Sequence, residues 1–207
     1  MKKEGLVMPA VILCLIGIVV TGMLALTHQF TKDIIEGQAG EQQASNREQI
    51  FPGAALFVEI ELDTLNVSTE NVREFFIAVD EQDELLGALI VAHAAGYSGE
   101  VPVMVGIRPD GIIAAARVLP NSETPNLGTQ IEEPDFIDQF QDLDLASQFT
   151  LRTPESGEHR IDSVTAATES SRAVVNAINT IAEVYAEIEL TEIFSEIDLD
   201  AADMEVE

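Results

Sequence analysis

The chain has 207 residues, with 37 Asp and Glu against 10 Lys and Arg, a formal charge of −27, one Cys and no Trp. That length suits one domain with an appendage. The charge excludes nucleic acid as a partner, because binding a phosphate backbone depends on Lys and Arg displacing counterions, and the lone Cys excludes an internal disulfide, a zinc knuckle or a cysteine-ligated iron–sulfur cluster. A hydrophobic content of 46% is too high for a disordered chain.

From Gly5 to Thr27 no residue is charged, and most are Leu, Ile, Val, Met or Ala. As a helix this run reaches about 35 Å, enough to cross a hydrocarbon core of roughly 30 Å. Pro9 falls near the start, where proline is tolerated. Lys2 and Lys3 precede the run, so the positive-inside rule predicts a cytoplasmic N-terminus. The rest of the chain then lies across the membrane, in the periplasm of a Gram-negative cell. The run is too long for a signal-peptide core, and Ala25-Leu26-Thr27 is a poor cleavage site. Ala10, Cys14, Gly17, Thr21 and Ala25 share one helix face. This face reads either as a contact for another membrane helix or as the general abundance of small residues in such helices.

The polar stretch from Thr31 to Ile50 predicts a helical stalk, broken by Phe51-Pro52-Gly53. Arg73–Val79 and Leu85–Ala92 read as strands, and Gly96-Tyr97-Ser98-Gly99 as a turn. Val101–Ile107 and Ile112–Leu119 flank Pro109-Asp110-Gly111, a hairpin signal because Asp-Gly supplies positive φ. Asn121–Thr129 reads as a loop and Pro134–Phe140 as a short helix. After Thr168, the residues Val174, Ile178, Ile181, Tyr185 and Ile188 recur at helical spacing, an apolar stripe that should dock on the sheet. Beyond Glu189 the chain is acidic and predicts a frayed tail. An antiparallel sheet with flanking helices is the α+β class.

Catalytic arrangements are scarce, and no catalytic residue is assigned. His28, His93 and His159 lack metal spacing and read as surface or turn residues. The Asp135, Asp138, Asp142 and Asp144 run lacks the glycine and terminal Glu of a calcium loop. Two stretches stand out: Glu123-Thr124-Pro125-Asn126-Leu127-Gly128-Thr129, and Asp162 to Thr168 followed by Glu169-Ser170-Ser171-Arg172. The second places hydroxyls at a helix start, where free N–H groups and the dipole favour a phosphate, with Arg172 in reach. From the residues alone this is either a phosphate site or a capped helix in which Ser170-Ser171 serve as caps.

Together the two stretches resemble the paired motifs of the FMN-binding domain in the G subunit of the Rnf ion-translocating oxidoreductase complex. That family carries an ETPGLGT-like loop and a D-x-x-[ST]-G-A-T sequence followed by SRAV. Glu123, Thr124, Pro125, Leu127, Gly128 and Thr129 match the first, with Asn126 where Gly is usual. Asp162, Thr165, Ala167 and Thr168 match the second, with Ala166 in place of Gly. Gly96–Gly99, the Val105-Gly106 hairpin and an N-terminal anchor leading into Leu26–Lys32 also fit. The similarity covers nearly the whole chain.

The resemblance implies FMN joined through its phosphate to the Thr168 hydroxyl by an FAD:protein FMN transferase that uses Mg2+. Asp162 and Thr165 would belong to the motif that enzyme recognises, and the Glu123–Thr129 loop would lie against the flavin. Ala166 adds a methyl where Gly allows positive φ, at about 1 kcal/mol if φ is positive. Asn126 is the gentler departure, since Asn tolerates the left-handed region. The implied organisation is an N-terminus and anchor over 1–30, a stalk over 31–52, an FMN-binding domain over 53–190 and an acidic tail over 191–207. The implied function is an electron-carrying subunit of a complex moving Na+ or H+, single-pass in the inner membrane, with no complete active site of its own. Its partners would be the bilayer, other integral membrane and redox subunits, and the transferase.

Three other readings stay open: a flavin-free structural subunit that lost the cofactor through Ala166, the C subunit of a Na+-translocating NADH:quinone oxidoreductase, and a membrane-anchored small-ligand binder. Lys occurs only at positions 2, 3 and 32. An acidic, Lys-poor surface reads as adaptation to high salt before it reads as steering of cationic partners. The extramembrane part should therefore melt at a higher temperature in molar NaCl than in dilute buffer; a flat or falling melting temperature would count against the salt reading.

Overall fold

The computed structural model describes residues 4–65, 70–188 and 190–196. Lys2, Lys3 and the acidic stretch beyond 196 lie outside them. The chain divides into two units, Met1–Ala44 and Ser45–Glu207.

The first unit is helical from Glu4, as part of α1 (Glu4–Ile50). Across its apolar run the described side chains are exposed, Leu13, Ile18 and Leu24 among them. Among the described residues no helix is long and apolar enough to cross a membrane.

The second unit opens with the end of α1, which stops at Ile50 as Phe51-Pro52-Gly53 predicts. Five strands follow in an antiparallel meander, each hydrogen-bonded to the next in chain order. They are β1 (Leu56–Glu59), β2 (Val72–Val79), β3 (Leu85–Ala95), β4 (Glu100–Ile107) and β5 (Ile113–Val118). The Arg108–Ile112 turn closes as expected, with Gly111 at φ +82° and its N–H donating to the Arg108 carbonyl at 2.9 Å.

The central strands read as near-continuous apolar runs because both sheet faces are covered. One face carries Phe75, Ile77, Ile90, Val103 and Val105 against α3 (Thr168–Glu187). The predicted stripe docks there: Val174, Ile178 and Ile181 are fully buried, with Tyr185 and Ile188 packed at the margin. The other face carries Phe76, Leu89, Val91 and Met104 beneath Ile50 and Phe51. Glycine makes that second contact close. A Cβ on Gly106 would lie 2.1 Å from Ile50 Cγ2, and one on Gly87 would lie 2.2 Å from the Ile107 carbonyl oxygen. Any side chain at either position would push the end of α1 off the sheet or break the β3–β4 ladder.

Between β5 and α3 run α2 (Pro134–Ile137), two 3-10 turns, and the short parallel pair β6 (Gln148–Thr150) and β7 (Glu158–Arg160). The architecture is α+β, an antiparallel sheet with flanking helices. Three expectations change. The chain beyond Glu189 does not fray at once: Leu190–Glu196 forms α4, because Leu190, Ile193 and Phe194 fall at i, i+3 and i+4 and pack on the core. Strands β1, β6 and β7 add to those that the sequence pattern predicts. His93 is neither a surface nor a turn residue. It lies largely buried in β3, its Nε2 3.6 Å from a Glu100 carboxylate and its Nδ1 without a partner.

Candidate functional site

The two sequence motifs meet where the loop after β5 passes the start of α3. Each owes its shape to one residue in the left-handed region. Asn126 has φ +60° and Ala166 φ +64°, the two positions where the resembled family carries glycine. In the first loop the N–H groups of Leu127 and Gly128 both donate to the Thr124 carbonyl, at 3.1 and 2.8 Å. Asn126 N–H donates to Thr129 Oγ1 at 3.0 Å, so that hydroxyl braces the loop from within. In the second, the turn at Ala166 lets Ala167 N–H donate to the Val164 carbonyl at 3.1 Å, and α3 begins at Thr168.

No side chain caps that helix start, which corrects the capping role expected of Ser170 and Ser171. Both serines are buried and spend their hydroxyls elsewhere. Ser171 Oγ accepts from Val164 N–H at 3.0 Å and donates to the Ala167 carbonyl at 3.0 Å. Ser170 Oγ donates to Glu123 Oε2 at 2.7 Å. The first turn of α3 thus has no side-chain cap, and the positive end of the helix dipole lies there.

Glu123 is the pivot of the site. Its side chain is 4% exposed, and besides Ser170 it accepts Ser98 N–H on Oε1 at 2.9 Å. Three separate segments thus hang on one carboxylate: the β3–β4 turn, the loop after β5 and the first turn of α3. Two glycines make room for it. A Cβ on Gly96 would lie 2.5 Å from Oε1, and one on Gly128 2.7 Å from Oε2.

The three segments enclose a cleft of about 520 Å³, a size suited to a small organic ligand. Of the sequence-predicted residues, Glu123, Thr124, Leu127, Gly128, Ala166, Ala167 and Thr168 line it. Thr168 is exposed there. Asp162, Thr165 and Thr129 do not line it; they border a second hollow of about 680 Å³, together with Glu133 and Asp135. Tyr97, Glu169 and Ser170 also line the cleft, and sequence reasoning missed all three in that role. Tyr97 enters the sequence reading only within the Gly96–Gly99 turn, and Glu169 and Ser170 only within the stretch read as either a phosphate site or a capped helix start. Arg172, expected at the phosphate, pairs instead with Glu169 and lines a different hollow beside Phe149 and Arg152, because its position on α3 is rotated away from the cleft.

Residues 96–183 match the family described as FMN-binding domain, and residues 1–50 match the family described as RnfG N-terminal region. Among curated proteins, the G subunit of the ion-translocating oxidoreductase complex of Methanosarcina acetivorans is 31% identical over 82% of this chain and 89% of its own length. Its namesake from Vibrio atlanticus is 32% identical over 86% of each chain. The G subunit of the Na(+)-translocating ferredoxin:NAD(+) oxidoreductase complex of Acetobacterium woodii is 28% identical over 84% of this chain and 88% of its own. The crystal structure of Shewanella oneidensis NqrC shares the fold, with a TM-score of 0.50 at 18% identity, over 66% of this chain and 82% of that one. The cleft is thus built from residues that fall inside an FMN-binding domain, and the chain belongs to the family of G subunits of ion-translocating oxidoreductase complexes.

Proposed function

We propose that this chain is the flavoprotein subunit of a membrane complex that couples electron transfer to the movement of Na+ or H+. Its FMN is held by a phosphoester at Thr168. The observation that carries the reading is the place of Thr168: an exposed hydroxyl-bearing residue that lines the cleft at an uncapped helix start. A phosphodiester there keeps its negative charge at the favourable end of the α3 dipole. The cleft is large enough for a flavin ring, and more apolar than polar at its surface.

Attachment forms one bond and breaks one. The Thr168 oxygen bonds the phosphorus on the flavin side of the FAD pyrophosphate, the bond to AMP breaks, AMP leaves, and the hydroxyl proton passes to a base of the transferase. Asp162 and Thr165, exposed on the far side of the same loop, suit recognition by that transferase. FMN, when bound, supplies the redox chemistry. The protein's residues place it: Thr168 tethers it, Glu123 fixes the loops around it, and Leu127 and Gly128 line the same cleft. In this reading the single-pass anchor is the uncharged sequence run from Gly5 to Thr27, with the N-terminus in the cytoplasm and the cleft in the periplasm. Other integral membrane and redox subunits of the complex are its partners.

Co-expression of the full chain with an FAD:protein FMN transferase tests this. The denatured protein should gain the mass of one FMN less water and fluoresce in a gel; no adduct despite an active transferase would favour the flavin-free structural reading. Ala166 is the residue on which that alternative depends. Holding alanine at φ +64° costs about 1–2 kcal/mol, and the loop still takes the shape that glycine would allow. Ala166→Gly is expected to raise stability by about 1 kcal/mol net of the added unfolded-state entropy and to speed adduct formation. Urea midpoints and initial flavinylation rates measure the two effects.

A further inference from the structure

We infer that the hollow between β6 and α3, lined by Arg152 and Arg172, docks an acidic segment of another subunit of the complex. The inference rests on the reading above for the work of that subunit and adds where it seats. The hollow measures about 480 Å³, with Gln148, Glu158 and Asn176 also on its walls. Arg73, Arg108, Arg117, Arg160 and Arg172 each pair with a carboxylate of this chain, and Arg47 lies over the Phe76 ring. Arg152 has neither kind of partner among the described residues. In a chain with 37 acidic residues, an arginine that none of them neutralises is free to take a carboxylate from elsewhere.

The hollow stands on fixed walls. Asn179 on α3 accepts Phe149 N–H at 2.9 Å and donates to the Phe149 carbonyl at 3.0 Å, which stitches β6 to the helix. Glu158 is the one carboxylate among the lining residues. It already accepts Glu155 N–H at 2.8 Å, and two arginines outweigh it. A guanidinium takes a carboxylate through two parallel N–H bonds, and a pair formed in a hollow is screened by salt less than one on an open face. A lipid surface fits less well. Outside α1, the large apolar side chains left exposed among the described residues are Tyr97 and Leu127, and both line the Thr168 cleft. An anionic headgroup layer would also repel a chain of charge −27. The place suits electron exchange, because Arg172 pairs with Glu169, which lines that cleft. Hollow and cleft thus meet three residues apart on α3, about 4.5 Å along its axis.

The test uses the full chain in cells that make the whole complex, with a photo-crosslinking residue in place of the exposed Asn176. The crosslinked peptide should belong to another subunit of the complex and carry Asp or Glu side chains. Arg152→Glu should cut the crosslink yield several-fold, while Arg152→Lys, which keeps the charge, should retain most of it. Gln82→Glu adds negative charge on the β2–β3 turn and should leave the yield unchanged. Arg152 is exposed and its side chain bonds nothing among the described residues, so the variants should fold, as far-ultraviolet circular dichroism checks. A yield untouched by Arg152→Glu, or cut equally by Gln82→Glu, would overturn the docking site. So would a crosslink to lipid, a peptide without acidic side chains, or no crosslink. Intact mass is read on the same samples: a wild-type chain lacking FMN would overturn the flavin reading and leave the docking result standing.

Discussion

Replacing Thr168 with alanine is expected to remove the denaturation-resistant flavin completely while leaving the fold intact. The side chain is exposed and α3 uses no side-chain cap, so the change in stability should stay within about 0.5 kcal/mol. Loss of the adduct would then report lost chemistry and not lost structure. Thr168→Ser keeps a hydroxyl at the same helix position and should recover the adduct in part. Intact mass after denaturation distinguishes the three proteins, and far-ultraviolet circular dichroism with urea checks that all are folded. An adduct surviving in Thr168→Ala would move the attachment point elsewhere and refute the role given to this residue.

Glu123→Ala should have the largest effect on stability of any single change at the cleft. It strips two donors of their acceptor, the Ser98 N–H and the buried Ser170 hydroxyl. It also leaves space that Gly96 and Gly128 do not fill. Each stranded donor costs about 1–3 kcal/mol, so a loss of about 3 kcal/mol overall is expected, read from the urea midpoint. The consequence for the site follows from the same contacts. With the β3–β4 turn, the 124–129 loop and α3 no longer tied together, the cleft loses its spacing, and adduct yield should drop even though Thr168 is untouched. Glu123→Gln keeps volume and one carbonyl acceptor, so it should fall between the wild type and alanine. Equal stability of all three would mean that the carboxylate is incidental to the fold.

Much of the scaffold is legible because its signals are local. The Asp110-Gly111 turn, the alternation of apolar runs and breakers from Arg73 to Leu119, and the stripe from Val174 to Ile188 each declare their structure within a few residues. Strand β1 is not legible, since Leu56–Glu59 is short and becomes a strand only by pairing with Phe76–Val79. The parallel β6–β7 pair is three residues long on each side and has the same difficulty. Helix α4 is hidden by the acidic residues around it, although Leu190, Ile193 and Phe194 carry the helical spacing.

The site divides along the same line. Motif wording alone singles out Thr168 at a helix start, a loop at Glu123–Thr129, and two departures from glycine whose backbone proves to be left-handed. These are properties of short segments, set by hydroxyl chemistry, helix dipoles and the φ that each residue tolerates. Only the tertiary structure decided what Glu123 does, because its partners lie 25 and 47 residues away in the chain. It also sent Asp162, Thr165 and Thr129 to a hollow apart from the Thr168 cleft. It turned Ser170 and Ser171 inward, rotated Arg172 away, and left Tyr97 exposed at the cleft. Which side of a loop a residue faces depends on the packing of α3 against the sheet, and that packing sums contacts over the whole domain.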